Sequence, residues 1–121
     1  MSTAQTLLSN APGPLPISIQ YTPESDEPVT ILFAGSVQSH DIATMQVGFD
    51  LKVNGETIGQ SMINSSSSVS YHFATVPAMV NTSLPFNLKD DQVEPVTIQL
   101  SASNNDSNTD KTDLFNVCII N

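Results

Sequence analysis

Residues Thr44–Ile63 read TMQVGFDLKVNGETIGQSMI. Met45, Val47, Phe49, Leu51 and Val53 alternate with Gln46, Gly48, Asp50 and Lys52. That is the two-residue period of a strand with one buried and one wet face. Asn54-Gly55 follows, a dipeptide that accepts positive φ at both central positions of a type I′ turn. A two-residue turn fixes the register, so the spacing predicts Val53 opposite Glu56, Leu51 opposite Ile58, Phe49 opposite Gln60 and Val47 opposite Met62.

Working outward, the same alternation predicts strands at Ile17–Tyr21, Val29–Val37, Val69–Thr75, Val96–Ala102 and Leu114–Ile120, and a short edge strand around Phe86–Leu88. Gly35 is expected to mark a bulge. The polar turns Thr22–Pro28, Asn64–Ser68 and Lys89–Pro95 punctuate them, and Val76–Pro85 is mixed, with Pro77 and Pro85 limiting ladder pairing. No stretch repeats apolar residues at helical spacing without a proline or a Ser/Asn cluster breaking it. About eight strands joined by turns spell an all-β fold, an antiparallel β-sandwich of jelly-roll type. Residues 1–16, with Pro12, Pro14 and Pro16 around Gly13, are expected as an extended N-terminal arm, and residues 17–121 as one β-sandwich domain.

At 121 residues, the chain can bury about two-thirds of its unfolded surface and needs no disulfide or metal to fold. Its charge excludes several functions. Three lysines (Lys52, Lys89, Lys111) stand against twelve carboxylates, with no arginine, for a net charge of −9. So few cations cannot neutralise a run of phosphates, which excludes nucleic acid as a partner and disfavours an anionic membrane surface. No apolar run is long enough for membrane insertion by a helix, and the N-terminus has no signal-peptide pattern. The expected location is the cytoplasm, or export by a non-classical route. The single cysteine, Cys118, is expected as a small buried hydrophobe.

A short word repeats. Glu27-Pro28-Val29-Thr30-Ile31 returns as Glu94-Pro95-Val96-Thr97-Ile98, and a serine follows each copy at the same interval, Ser36 and Ser103. Either two strands simply begin alike, or they hold equivalent places in two sheets; five residues do not establish a duplication.

A strand ending FAGS, a long strand closing on VNGETIG, a polar loop, a Ser/Tyr-rich strand and a final apolar strand together resemble the C1q/TNF-like jelly-roll modules of bacterial and phage surface proteins. The chain departs from their pattern at Lys89-Asp90-Asp91, where such modules often carry a Gly-Asp turn. The resemblance implies attachment or ligand binding by a homo-oligomer, with a trimer favoured.

The candidate ligand-binding and metal residues are Asp106, Asn108, Asp110 and Asp113, in the loop Ser103–Asp113. Alternating oxygen-bearing side chains suit calcium, which takes six to eight oxygens. The loop fails as an EF-hand, with Lys111 where glycine is needed and Val117 where a bidentate Glu belongs. The competing reading is a solvated acidic loop. An acidic loop before a C-terminal strand is also similar to the calcium-dependent sugar-binding lectins of bacteria, which implies a calcium-bridged sugar at these residues.

Catalytic patterns are thin. Gly59-Gln60-Ser61 sits in a hairpin, without the strand-to-helix turn of a nucleophile elbow. Asp90-Asp91 reads as a turn, and His40 and His72 lack zinc-ligand companions. Without tryptophan, a stacking platform for sugar rings would use Tyr21 or Tyr71. The expectation is therefore a non-catalytic binding or attachment module for carbohydrate or a protein surface partner. The alternative is an assembly protein whose function is its homo-oligomer, and a hydrolase is the least supported reading.

Overall fold

The computed structural model describes residues 4–39, 46–64, 72–74, 77–104 and 107–121. Twelve strands follow in order: β1 (Ala4–Pro12), β2 (Ile17–Tyr21), β3 (Val29–Ala34), β4 (Val37–Ser39), β5 (Gln46–Val53), β6 (Glu56–Asn64), β7 (His72–Ala74), β8 (Ala78–Thr82), β9 (Leu88–Lys89), β10 (Gln92–Val93), β11 (Val96–Ala102) and β12 (Leu114–Ile120). Among the described residues there is no helix.

The Asn54-Gly55 turn is the tip of a hairpin that involves the whole chain. Asn54 has φ 50° and Gly55 φ 86°, as a type I′ turn demands. Around it the ladders nest. β5 pairs β6, β4 pairs β7, β3 pairs β8, β2 pairs β11 and β1 pairs β12, every pair antiparallel. Two further ladders, β12–β3 and β11–β5, fold this long hairpin over into two four-stranded sheets. Their orders are β1-β12-β3-β8 (sheet one) and β2-β11-β5-β6 (sheet two). This is the winding of a jelly roll.

The core lies between the sheets. Val29, Ile31 and Phe33 of β3 and Phe115, Val117 and Ile119 of β12 face Val47, Phe49, Leu51 and Val53 of β5 and Val96, Ile98 and Leu100 of β11, all buried. Phe49 of sheet two stands edge-on to two rings from sheet one. Its centroid is 5.9 Å from Phe33 at 74° and 5.6 Å from Phe115 at 84°. Such T-shaped contacts add about 0.5–1.5 kcal/mol each beyond the area buried.

Several expectations need correction. The hairpin register holds at Val53–Glu56 and Lys52–Thr57 and then slips by one residue, with Leu51 opposite Gly59, Phe49 opposite Ser61 and Gly48 opposite Met62. Ile58 is the extra residue of a bulge. The regular register would have turned Gln60 into the core. The bulge instead brings Gly59 beneath Phe33, whose Cζ is 3.3 Å from where a Cβ at that position would stand.

The expected single strand Val29–Val37 breaks at Gly35-Ser36 because the Phe115 ring occupies the space beside Gly35. Ala78–Thr82 is an edge strand despite its flanking prolines; it needs only one ladder, to β3. Of the expected edge strand Phe86–Leu88, only Leu88 lies in a strand. Asp90 and Asp91, with φ 53° and 63°, form a two-residue turn between β9 and β10. Residues 4–12, expected as an arm, are extended and form the edge strand β1 against β12. The expected strand Val69–Thr75 is described only at His72–Ala74; Tyr71 lies outside the described residues, as does His40.

Phe49→Ala is expected to cost about 3–5 kcal/mol of unfolding free energy in a denaturant titration. Met79→Ser, on the outer face of β8, should stay within about 0.5 kcal/mol of the parent.

Candidate functional site

The β11–β12 loop carries the sequence candidates, and two buried carboxylates clamp it at its ends. Asp50 of β5 is 9% exposed and Asp113 is 4% exposed. At the start of the loop, Ser103 Oγ donates to Asp50 Oδ1 at 2.6 Å, and Gln60 Nε2 donates to the same oxygen at 2.9 Å. At its end, Ser36 Oγ donates to Asp113 Oδ1 at 2.5 Å, and the Asp110 backbone N–H donates to Asp113 Oδ2 at 2.8 Å. The two serines are those that follow the repeated Glu-Pro-Val-Thr-Ile word. The word itself opens β3 and β11, an inner strand of each sheet, with Val29, Ile31, Val96 and Ile98 in the core.

Further contacts pin the loop between the clamps. The Gln38 and Asn108 backbones exchange two hydrogen bonds, of 2.9 and 2.7 Å. Thr109 Oγ1 accepts from Leu15 N–H at 2.8 Å, and the Ser107 hydroxyl, in a buried residue, accepts from Gly48 N–H at 2.9 Å.

The structure thus places Asn108, Asp110 and Asp113 on one pinned segment but gives them different tasks. Asn108 and Asp110 are exposed. Asp110 Oδ1 accepts from both the backbone N–H and the hydroxyl of Thr112. Asp113 is buried and holds the loop, so its carboxylate is turned away from any ion in solvent. Asp106 lies outside the described residues. Among the described residues no three metal-ligating side chains cluster, and both carboxylate oxygens of Asp113 accept hydrogen bonds from the protein.

The other sequence candidates fall in structural places. Tyr21 is 5% exposed and belongs to the core, so it offers no platform for a sugar ring. Ser61 is buried in the middle of β6.

A feature outside these candidates is the outer face of sheet one. Thr6, Cys118, Leu32 and Met79 form one row across its four strands, and Asn116 stands opposite Ala34 in the next. A groove of about 430 Å³ crosses this face, bounded by Leu8 and Ser9 on β1 and by Pro77 and Met79 at β8. Irregular pairing of β1 with β12 around Leu8 shapes that end. Leu32 is 38% and Met79 65% exposed. Cys118 is half-buried here rather than in the core, because Phe115, Val117 and Ile119 take the inward positions of β12. Among the described residues no charged side chain lines the groove. A sequence signal for it existed, in the apolar residues on both faces of β3 and β12.

Removing either clamp hydroxyl leaves a buried carboxylate oxygen short of a donor. Ser36→Ala and Ser103→Ala should each cost about 1–3 kcal/mol in chemical denaturation. Thr112→Ala, at the exposed Asp110, should cost less than about 1 kcal/mol.

No family model matches the chain, and no curated protein matches its sequence. Among solved structures it is similar to dimeric latent PorU from Porphyromonas gingivalis, at 6% identity and a TM-score of 0.57 over 98% of this chain and 12% of that one. It spans about an eighth of that protein, and the likeness bears on the fold alone. A family 35 carbohydrate binding module from Clostridium thermocellum aligns at 10% identity and a TM-score of 0.44, over 98% of this chain and 89% of that one. The CBM36-1 domain of a multidomain xylanase from the hindgut metagenome of Trinervitermes trinervoides aligns at 15% identity and 0.43, over 100% and 97%.

Proposed function

We propose that the chain is a non-catalytic binding module that holds a neutral carbohydrate chain in the groove across sheet one. The observation that carries this reading is the groove's lining. In a chain of net charge −9, none of the described residues lining it is charged. Its floor is apolar, and Thr6, Ser9 and Asn116 supply hydroxyl and amide groups. Its volume of about 430 Å³ lies within the range of ligand sites, which combine an apolar lining with a few polar groups. The groove crosses four strands, three spacings of about 4.8 Å, which suits an extended oligomer. The calcium-dependent form of the reading uses the Asp106–Asp110 part of the β11–β12 loop instead.

A glycan array probed with purified protein, with calcium and with EDTA, tests both forms. The groove reading expects neutral glycans to bind in both conditions and Met79→Glu to lose them. Binding that EDTA abolishes and Met79→Glu leaves intact would move the site to the loop. No glycan bound in either condition would end the carbohydrate reading.

One observation favours assembly as a second reading. Leu32, Met79 and Leu114 are exposed apolar residues on the same outer face, the kind of patch at which copies associate. Sedimentation equilibrium should then show an oligomer, a trimer by the family resemblance, that Met79→Glu dissociates. A monomer across concentrations would remove this reading.

A further inference from the structure

We infer that the groove selects N-acetylated sugar chains, with Asn116 as the residue that reads the acetamido group. This rests on the carbohydrate reading of the groove.

Asn116 is exposed at the floor, but its amide is not free to turn over. Its Oδ1 accepts the backbone N–H of Asn10 at 2.9 Å. An amide NH₂ cannot accept that bond, so the contact fixes which end of the amide is which. Asn10 itself is held at φ 49°, where β1 and β12 pair irregularly between Leu8 and Ala11. The Asn116 Nδ2 is therefore an oriented donor in the groove, and it has no hydrogen-bond partner among the described residues. Its complement is an acceptor such as a carbonyl oxygen.

The surroundings of this donor are small and apolar. Ala34 lies opposite Asn116 on β3, and Cys118 and Leu32 form the next row. Side chains opposite one another in such a ladder have Cβ atoms about 5 Å apart. A group that presents a carbonyl oxygen to Asn116 and a methyl to Ala34, Cys118 and Leu32 matches the site. The acetamido group is a neutral sugar substituent of that kind.

The lining also argues against a bare hydroxylated sugar. Such a sugar buries its C–H face most effectively on an aromatic ring. Phe33 borders the groove but is 2% exposed, its ring turned into the core against Phe49. With no open aromatic face among the described lining residues, the apolar contact comes from a substituent on the ligand. Charged sugars find no charged partner among the described lining residues.

The test compares tri-N-acetylchitotriose with cellotriose by isothermal titration. The two trimers share one backbone and differ in the acetamido group against a hydroxyl. One hydrogen bond with its methyl contact predicts that the first binds about tenfold or more tighter. Asn116→Asp keeps an oxygen for Asn10 N–H and replaces the NH₂ by an acceptor. It should bring tri-N-acetylchitotriose down to the level of cellotriose, with an unchanged melting temperature. Equal affinity for both trimers, with both lost in Met79→Glu, would overturn the acetamido inference and keep the groove as a carbohydrate site. Binding of neither trimer, together with a blank array, would overturn both. A preference unchanged by Asn116→Asp would refute the role of Asn116. If that variant does not fold, the ratio of the two trimers on the parent protein still decides the acetamido preference.

Discussion

The contact on which the two sheets most depend is the Phe49 ring set edge-on between Phe33 and Phe115. It joins the centre of sheet two to two adjacent strands of sheet one. Other local choices accommodate it. Gly59 lies beneath Phe33, and Gly35 stands where Phe115 comes closest to the chain. The bulge at Ile58 brings Gly59 and Ser61, not Gln60, to the side of β6 that faces these rings. A regular hairpin would have turned an amide into the same apolar place, where burial of a polar group is costly.

That bulge also shows what a sequence leaves out. Alternation along residues 45–53 and the Asn54-Gly55 turn were enough to establish an antiparallel hairpin, and the turn signals on either side gave a sandwich. The register was legible for two pairs beyond the turn. Further out it depended on the volume between the sheets, which no local pattern records. Ala78–Thr82 was hidden for a related reason. Its flanking prolines argue against a central strand, but an edge strand can tolerate them. The N-terminal segment was legible as extended, not as paired, because its ladder partner lies at the opposite end of the chain.

The candidate loop was legible in composition and not in use. Asp113 and Asp110 look alike in sequence, yet one is buried under a serine hydroxyl and the other is exposed. The difference comes from Ser36, which is distant in sequence and close in space. The repeated word hinted at it, since each copy leads to a serine that caps a buried aspartate. The groove was harder to foresee. Leu32 and Cys118 suggested strands buried on both faces, whereas the structure leaves their outer face open.

The nested pairing of strands also dictates an order of completion. Sheet two holds all four of its strands once the chain has reached Ala102. Sheet one has an inner strand, β12, that follows the other strands in chain order. Until Leu114–Ile120 is available, among the described residues β1 has no ladder and β3 has that to β8 alone. During synthesis the apolar faces of one sheet are thus assembled before the other can cover them, and long-range pairings of this kind close slowly. The two neighbours of the missing strand offer open edges in that interval, and β12 acts as a zip fastener between them.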